Sequence, residues 1–166
     1  MDSNYYIIAG ALLVGVVAYF LFFRTKSIPA PAEKTVNTAS NGLQLQAYER
    51  LALLADRITL TNLVNRTSHD GLSAREMQMI LTRSIRDEFD YNITQQIYIA
   101  PEVWSAIKTL KEKNLLIINQ VAAVMPANAS GFDLNKAILE YIMNDPHANQ
   151  HELVSEALSF EAKKLL

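Results

Sequence analysis

The sequence contains no cysteine. Disulfides, thiol catalysis and Cys-based zinc sites are excluded by inventory. An excess of basic charge is also missing, with 15 Lys and Arg against 17 Asp and Glu. Nucleic-acid binding rests on a basic face that neutralises phosphates, so the balance argues against that class of partner. Glycine and proline are scarce at five each. Neither a Gly-rich phosphate loop nor a G-x-S-x-G turn is present. Nothing implies a cofactor. Strand-like alternation is missing too, and residues 91–99 (YNITQQIYI) are the one ambiguous piece.

Charge is absent altogether from residues 5–23 (YYIIAGALLVGVVAYFLFF), and Arg24 and Lys26 follow at once. As a helix this run is about 28 Å long, close to the roughly 30 Å hydrocarbon core of a bilayer. A cleaved signal peptide is the rival. It requires a basic leader and a core of about 7–15 residues, whereas the leader here holds Asp2 and no base. The expectation is one transmembrane helix over 5–23 in an inner (cytoplasmic) membrane. Cationic flanks stay in the cytoplasm, so residues 1–4 face outward and the remainder faces inward.

Residues 24–42 (RTKSIPAPAEKTVNTASNG) carry almost no large apolar side chain. They read as a flexible linker with a mean span of about 25 Å. Residues 43–166 then have the size of one domain with one core. They carry 12 Lys and Arg against 15 Asp and Glu, a net charge of −3.

Periodicity in this domain is helical. A first helix is expected over 43–58, with Ala47, Leu51, Leu54 and Ile58 as its apolar stripe, and a short helical piece over 62–67. Ser73-Ala74-Arg75-Glu76 is a capping-box pattern that opens a helix to about Asn92. Met77, Ile80, Leu81, Ile85 and Phe89 are its inward positions. Pro101 suits the first position of a helix that runs to Pro126. Ser130 or Asp133 caps the next, to about Met143, and Asp145-Pro146 opens the last. The fold class is all-α: a spanning helix, a linker and a bundle of about five helices.

Three groups of residues are candidates for chemistry. His147 and His151 lie four apart, on one helical face, near Asp145 and Glu152. Such a pair could hold a divalent metal, but a third ligand is missing and H-E-x-x-H is not matched, which leaves solvated surface as the plainer reading. Ser68, His69 and Asp70 are adjacent in a turn, whereas a catalytic triad is assembled in space. Asp87, Glu88 and Asp90 are explained by ion pairing with Arg83 and Arg86.

The segment 86–98 is dense in amide and aromatic groups, with Trp104 soon after. Buried Asn92, Gln95 and Gln96 need several hydrogen-bond partners each. Two readings stand. The segment is a polar clasp between helices, or it is a binding surface of the kind that Tyr, Trp and Arg dominate. In either, Gln46, Tyr48, Glu49 and Arg50 of the first helix are expected to meet Arg86, Asn92, Gln95, Gln96 and Tyr98, with Glu49–Arg86 as an ion pair.

The strings 45–51 (LQAYERL), 85–89 (IRDEF) and 92–98 (NITQQIY), with Trp104, resemble an uncharacterised family of small bacterial proteins. The resemblance implies one amino-terminal span and a helical cytosolic domain. It implies no activity and no functional residue. The function expected is that of a membrane-tethered, non-enzymatic interaction module, a subunit or adaptor of an envelope complex that binds a protein partner or a second copy. The alternative is an enzyme at the membrane surface.

Overall fold

The structure is a computed structural model and describes residues 38–145 and 150–166. Six α-helices and one 3₁₀ turn make up its regular structure: α1 (Thr38–Arg57), α2 (Leu60–Arg66), α3 (Ala74–Tyr91), the 3₁₀ turn (Ile93–Ile97), α4 (Pro101–Ala123), α5 (Gly131–Asn144) and α6 (Gln150–Lys163).

This corrects the expected fold class. The all-α character holds, but the helices are six, because the short piece near residue 62 is a full helix, α2. No helix among the described residues is long and apolar enough to cross a membrane. The run 5–23, where the sequence places a spanning helix, lies outside the described residues, as does most of the linker. The linker boundary also moves, because α1 begins at Thr38 and takes in residues 38–42. Asn41 and Gly42 are poor helix formers, each costing up to about 1 kcal/mol, but propagation from a packed helix needs no new nucleus. At the other end the sequence opens the last helix at Asp145-Pro146; α6 is described over Gln150–Lys163, and residues 146–149 lie outside the described residues.

The core is one cluster. Leu51 and Leu54 of α1 and Ile58 just after it meet Leu63 of α2, Met77, Leu81 and Ile85 of α3, Ile107, Leu110 and Ile118 of α4, and Leu134 and Ile138 of α5. Helix α6 closes the bundle against α1 and α4 through Val154 and Leu158. The expected stripe of α1 is buried throughout, whereas Ile80 of α3 is 37% exposed. Met77, Leu81 and Ile85 advance by four, and Ile80 falls at the edge of that face.

Two helix–loop–helix units are joined at their loops. The amide of Ala74 donates to the carbonyl of Ala129 at 2.9 Å, and that of Gly131 donates to the carbonyl of Leu72 at 2.7 Å. These bonds make an isolated antiparallel bridge between Ser73 and Ser130. Both serines are N-caps inside complete capping boxes, Ser73 with Glu76 at the start of α3 and Ser130 with Asp133 at the start of α5. Such a box satisfies two otherwise orphaned donors at each helix start. Gly131 sits where the two loops touch, and a side chain there would make its neighbours give by a few tenths of an ångström. A Cβ there would lie 3.3 Å from the Leu72 Cβ, the Leu72 carbonyl oxygen and the Met77 Cβ.

The joint between α1 and α2 is held from α4. Asn114 is buried, and its Nδ2 donates to the carbonyl of Ile58 at 2.6 Å. Thr59 caps α2, its hydroxyl accepting from the Asn62 amide.

Candidate functional site

The 86–98 segment divides into an inside and an outside. Asn92 is buried as the C-cap of α3, its Nδ2 donating to the Glu88 carbonyl at 2.9 Å. Gln95 is buried in the 3₁₀ turn, where its Nε2 donates to the Thr94 hydroxyl at 3.3 Å. Ile99 follows inward. The outward positions are apolar: Tyr91 is 75% exposed, Ile97 73% and Ile93 43%. Gln96 lies exposed among them, and Tyr98 is 38% exposed. A 3₁₀ turn has three residues per turn, so positions 92 and 95 share one side. Two of the three amides, Asn92 and Gln95, therefore point in while Ile93 and Ile97 point out beside Thr94 and Gln96, a partial reversal of the ordinary pattern.

The first helix meets this segment in part. The Tyr48 hydroxyl, on a buried ring, accepts from the Ala100 amide at 3.2 Å. The Arg50 guanidinium lies over the Tyr91 ring, 5.3 Å from its centroid. Gln46 and Glu49 are exposed on α1. Leu43 and Leu53, 50% and 58% exposed, lie seven residues before and three after Arg50 and so share its face. Trp104 is buried and stacks on Phe89 with centroids 5.0 Å apart, and the Lys111 ammonium sits 4.3 Å over the Phe89 centroid. Trp104 is thus a core residue that backs the segment.

The expected Glu49–Arg86 ion pair is not formed. Arg57 Nε instead pairs with Glu88 Oε2 at 2.7 Å. With Arg57 at Glu88 and Arg50 at Tyr91, α1 and α3 run antiparallel. That register puts Glu49, next to Arg50, nearer to the Tyr91 end of α3 than to Arg86. Arg86 is exposed, while Arg83 pairs with Asp87 at 3.7 Å along the helix. Arg66 lies near the Arg57–Glu88 pair. Burial and then the Arg57 charge lower its pKa, against smaller opposing effects from Glu88 and Asp56.

The two described histidines, His69 and His151, lie in different cavities. His69 Nδ1 lies 3.3 Å from Asp70 Oδ1, but the Asp70 side chain is 92% exposed. The imidazole meets Phe132 edge-on, with centroids 5.3 Å apart. His147 lies outside the described residues. His151 is half-buried in a polar cavity of about 280 Å³ with Asp56, Thr59 and Asn114. Among the described residues no three His, Asp or Glu side chains converge on a point.

A second feature lies between α2 and α5. Val64 and Thr67 on one side and Phe132, Lys136, Leu139 and Met143 on the other line a cleft of about 370 Å³. Asn135 also lines it and is 4% exposed, and neither its Nδ2 nor its Oδ1 has a hydrogen-bond partner. The sequence reading missed Asn135. A signal was present, since Gly131, Asn135 and Ile138 fall at the spacing of one buried face.

The chain matches the family of unknown function DUF7935 over residues 2–165, and it belongs to that family. No curated protein and no solved structure matches it.

Proposed function

We propose that the chain is a non-enzymatic helical interaction module whose protein-binding surface is the outward face of residues 91–98 and the adjoining Arg50 face of α1. The observation that supports this is the partly reversed polarity of the 3₁₀ turn. Burying a side chain such as Ile97 contributes about 1.5–3 kcal/mol. That contribution is forgone here while two amides occupy the interior. A surface of exposed Tyr and Ile beside an Arg, with polar Gln96 and Glu49 near it, has the composition of a binding hot spot.

Attachment to the cytoplasmic face of a bacterial inner membrane is part of the proposal. It is supported by the uncharged residues 5–23 and the cations after them. An enzyme calls for convergent polar groups with shifted pKa values in a cavity. Two of the carboxyl groups with lowered pKa, Glu76 and Asp133, are helix caps in open solvent.

The test is site-specific photocrosslinking in cells at Ile97, with exposed Ser159 of α6 as control position. A discrete adduct from position 97, lost in a Tyr91→Ala variant that keeps its helical melt, is expected. An adduct at twice the chain mass of 18.6 kDa identifies a second copy as the partner. Equal labelling at positions 97 and 159, or none at 97, refutes the surface.

A further inference from the structure

We propose that the cleft between α2 and α5 binds a carboxamide carried on an apolar stem, with Asn135 as its polar anchor. Buried polar side chains are nearly always hydrogen-bonded. Asn135 departs from this at both atoms of its amide, which lie buried behind the wall of a cleft that the residue helps to line. What it lacks is an acceptor for Nδ2 and a donor for Oδ1, side by side. A carboxamide supplies both: its oxygen accepts from Nδ2 and its N–H donates to Oδ1. A carboxylate supplies only acceptors and leaves Oδ1 facing another oxygen. An ammonium supplies only donors and leaves Nδ2 unpaired.

The walls agree with a neutral ligand. Val64, Phe132, Leu139 and Met143 offer apolar contact to a stem. The charged groups at the cleft, Lys136 and Glu140, oppose each other at 3.8 Å. The volume of about 370 Å³ lies within the range of about 300–1,000 Å³ usual for small-ligand pockets. Both amide atoms are closed to solvent, so a ligand reaches them by displacing a wall. Met143, 85% exposed on a flexible thioether stem at the rim of the cleft, is placed to report on what enters it. The carboxamide has two possible sources, a free small molecule or the Gln or Asn side chain of a protein.

The test uses the full chain in detergent micelles, with the methionine methyl groups labelled for NMR and Met143 assigned from a Met143→Leu spectrum. Isovaleramide, isovaleric acid and N-acetylglutamine methylamide are the probes. Saturable movement of the Met143 methyl by isovaleramide is expected, with isovaleric acid at least tenfold weaker. In Asn135→Leu the amide response should fall at least tenfold while the buried Met77 methyl holds its position. Asn135→Asp, which removes the donor at neutral pH, should lose the amide as well and serves if the leucine variant does not fold. Tighter binding of the glutamine probe assigns the site to a protein side chain, and tighter binding of isovaleramide assigns it to a small molecule. No saturable shift, an equal response to amide and acid, or a response unchanged in both variants overturns the proposal.

Discussion

Replacing Asn114 tests the joint between α1 and α2. The side chain is 5% exposed, and its Nδ2 reaches the Ile58 carbonyl at 2.6 Å. That carbonyl belongs to the end of α1, where helix carbonyls have no partner further along the helix. In Asn114→Leu the branched shape is nearly kept and the carbonyl is orphaned, which costs about 1–3 kcal/mol. In Asn114→Asp the donor becomes an acceptor. At pH 7 the buried carboxylate faces an oxygen, so the cost should exceed that of leucine. Unfolding of the bundle followed by circular dichroism reads both, each kcal/mol lowering Tm by roughly 3–6 °C for a domain of this size. A second reading comes from pH. Burial raises the carboxyl pKa of the Asp variant in the folded state. Its penalty is then present above that pKa and is relieved as pH falls through it, because the protonated acid can donate. The gap to wild type should narrow between pH 7 and about 4.5. If Asn114→Asp is no worse than Asn114→Leu at pH 7, or its gap does not close on acidification, the amide does not hold the Ile58 carbonyl.

Two glycines should respond with opposite signs. Gly131→Ala presses a Cβ against the Leu72 backbone and should destabilise by about 1–3 kcal/mol, whereas Gly42→Ala, with nothing within 4 Å, should stabilise α1 by about 0.5–1 kcal/mol; denaturant midpoints decide both. Ser73→Ala and Ser130→Ala should each cost about 1 kcal/mol through lost N-caps, read by thermal melts. Hydrogen bonds from the serines hold the Glu76 and Asp133 carboxyls below the usual carboxylate range. The stability they contribute is present above the unfolded pKa and lost as pH falls through the folded one. The deficit of the Glu76→Gln, Asp133→Asn double variant should therefore be full at pH 7 and vanish in strong acid.

Local chemistry made several elements legible. The capping pattern at Ser73 and the proline at position 101 mark the starts of α3 and α4 in the structure. At the start of α5 the sequence left Ser130 and Asp133 as rivals. The structure uses both, one as N-cap and one as its capping-box partner. The pairing of the two capped loops was not legible, because backbone bonds between residues 72–74 and 129–131 leave no trace in side-chain pattern. The start of α1 was hidden for a related reason. Nothing in residues 38–42 favours a helix except the packed turns that follow. The Glu49–Arg86 pair failed because residue type predicts that charges will pair but not the register of two antiparallel helices.

The segment 86–98 was legible as unusual, though not in its orientation. The segment fits neither a helical nor a strand period, because a 3₁₀ turn obeys neither. Its three-residue period carries Asn92 and Gln95 inward together. Each is then tied by a local bond, Asn92 to the Glu88 carbonyl and Gln95 to the Thr94 hydroxyl. Turning Ile97 and Tyr91 inward would require the turn to rotate, which breaks those bonds and moves Ile99 and the Tyr48–Ala100 contact with them. Trp104 stacked on Phe89 resists the same motion from below. The exposed face therefore has no cheap route to burial within the chain. That is the physical ground for proposing that a second surface covers it. On the proposed reading, Asn92 and Gln95 hold the segment through local bonds, Tyr48 ties it to α1, and Tyr91, Ile93, Ile97 and Arg50 are the residues offered to a partner.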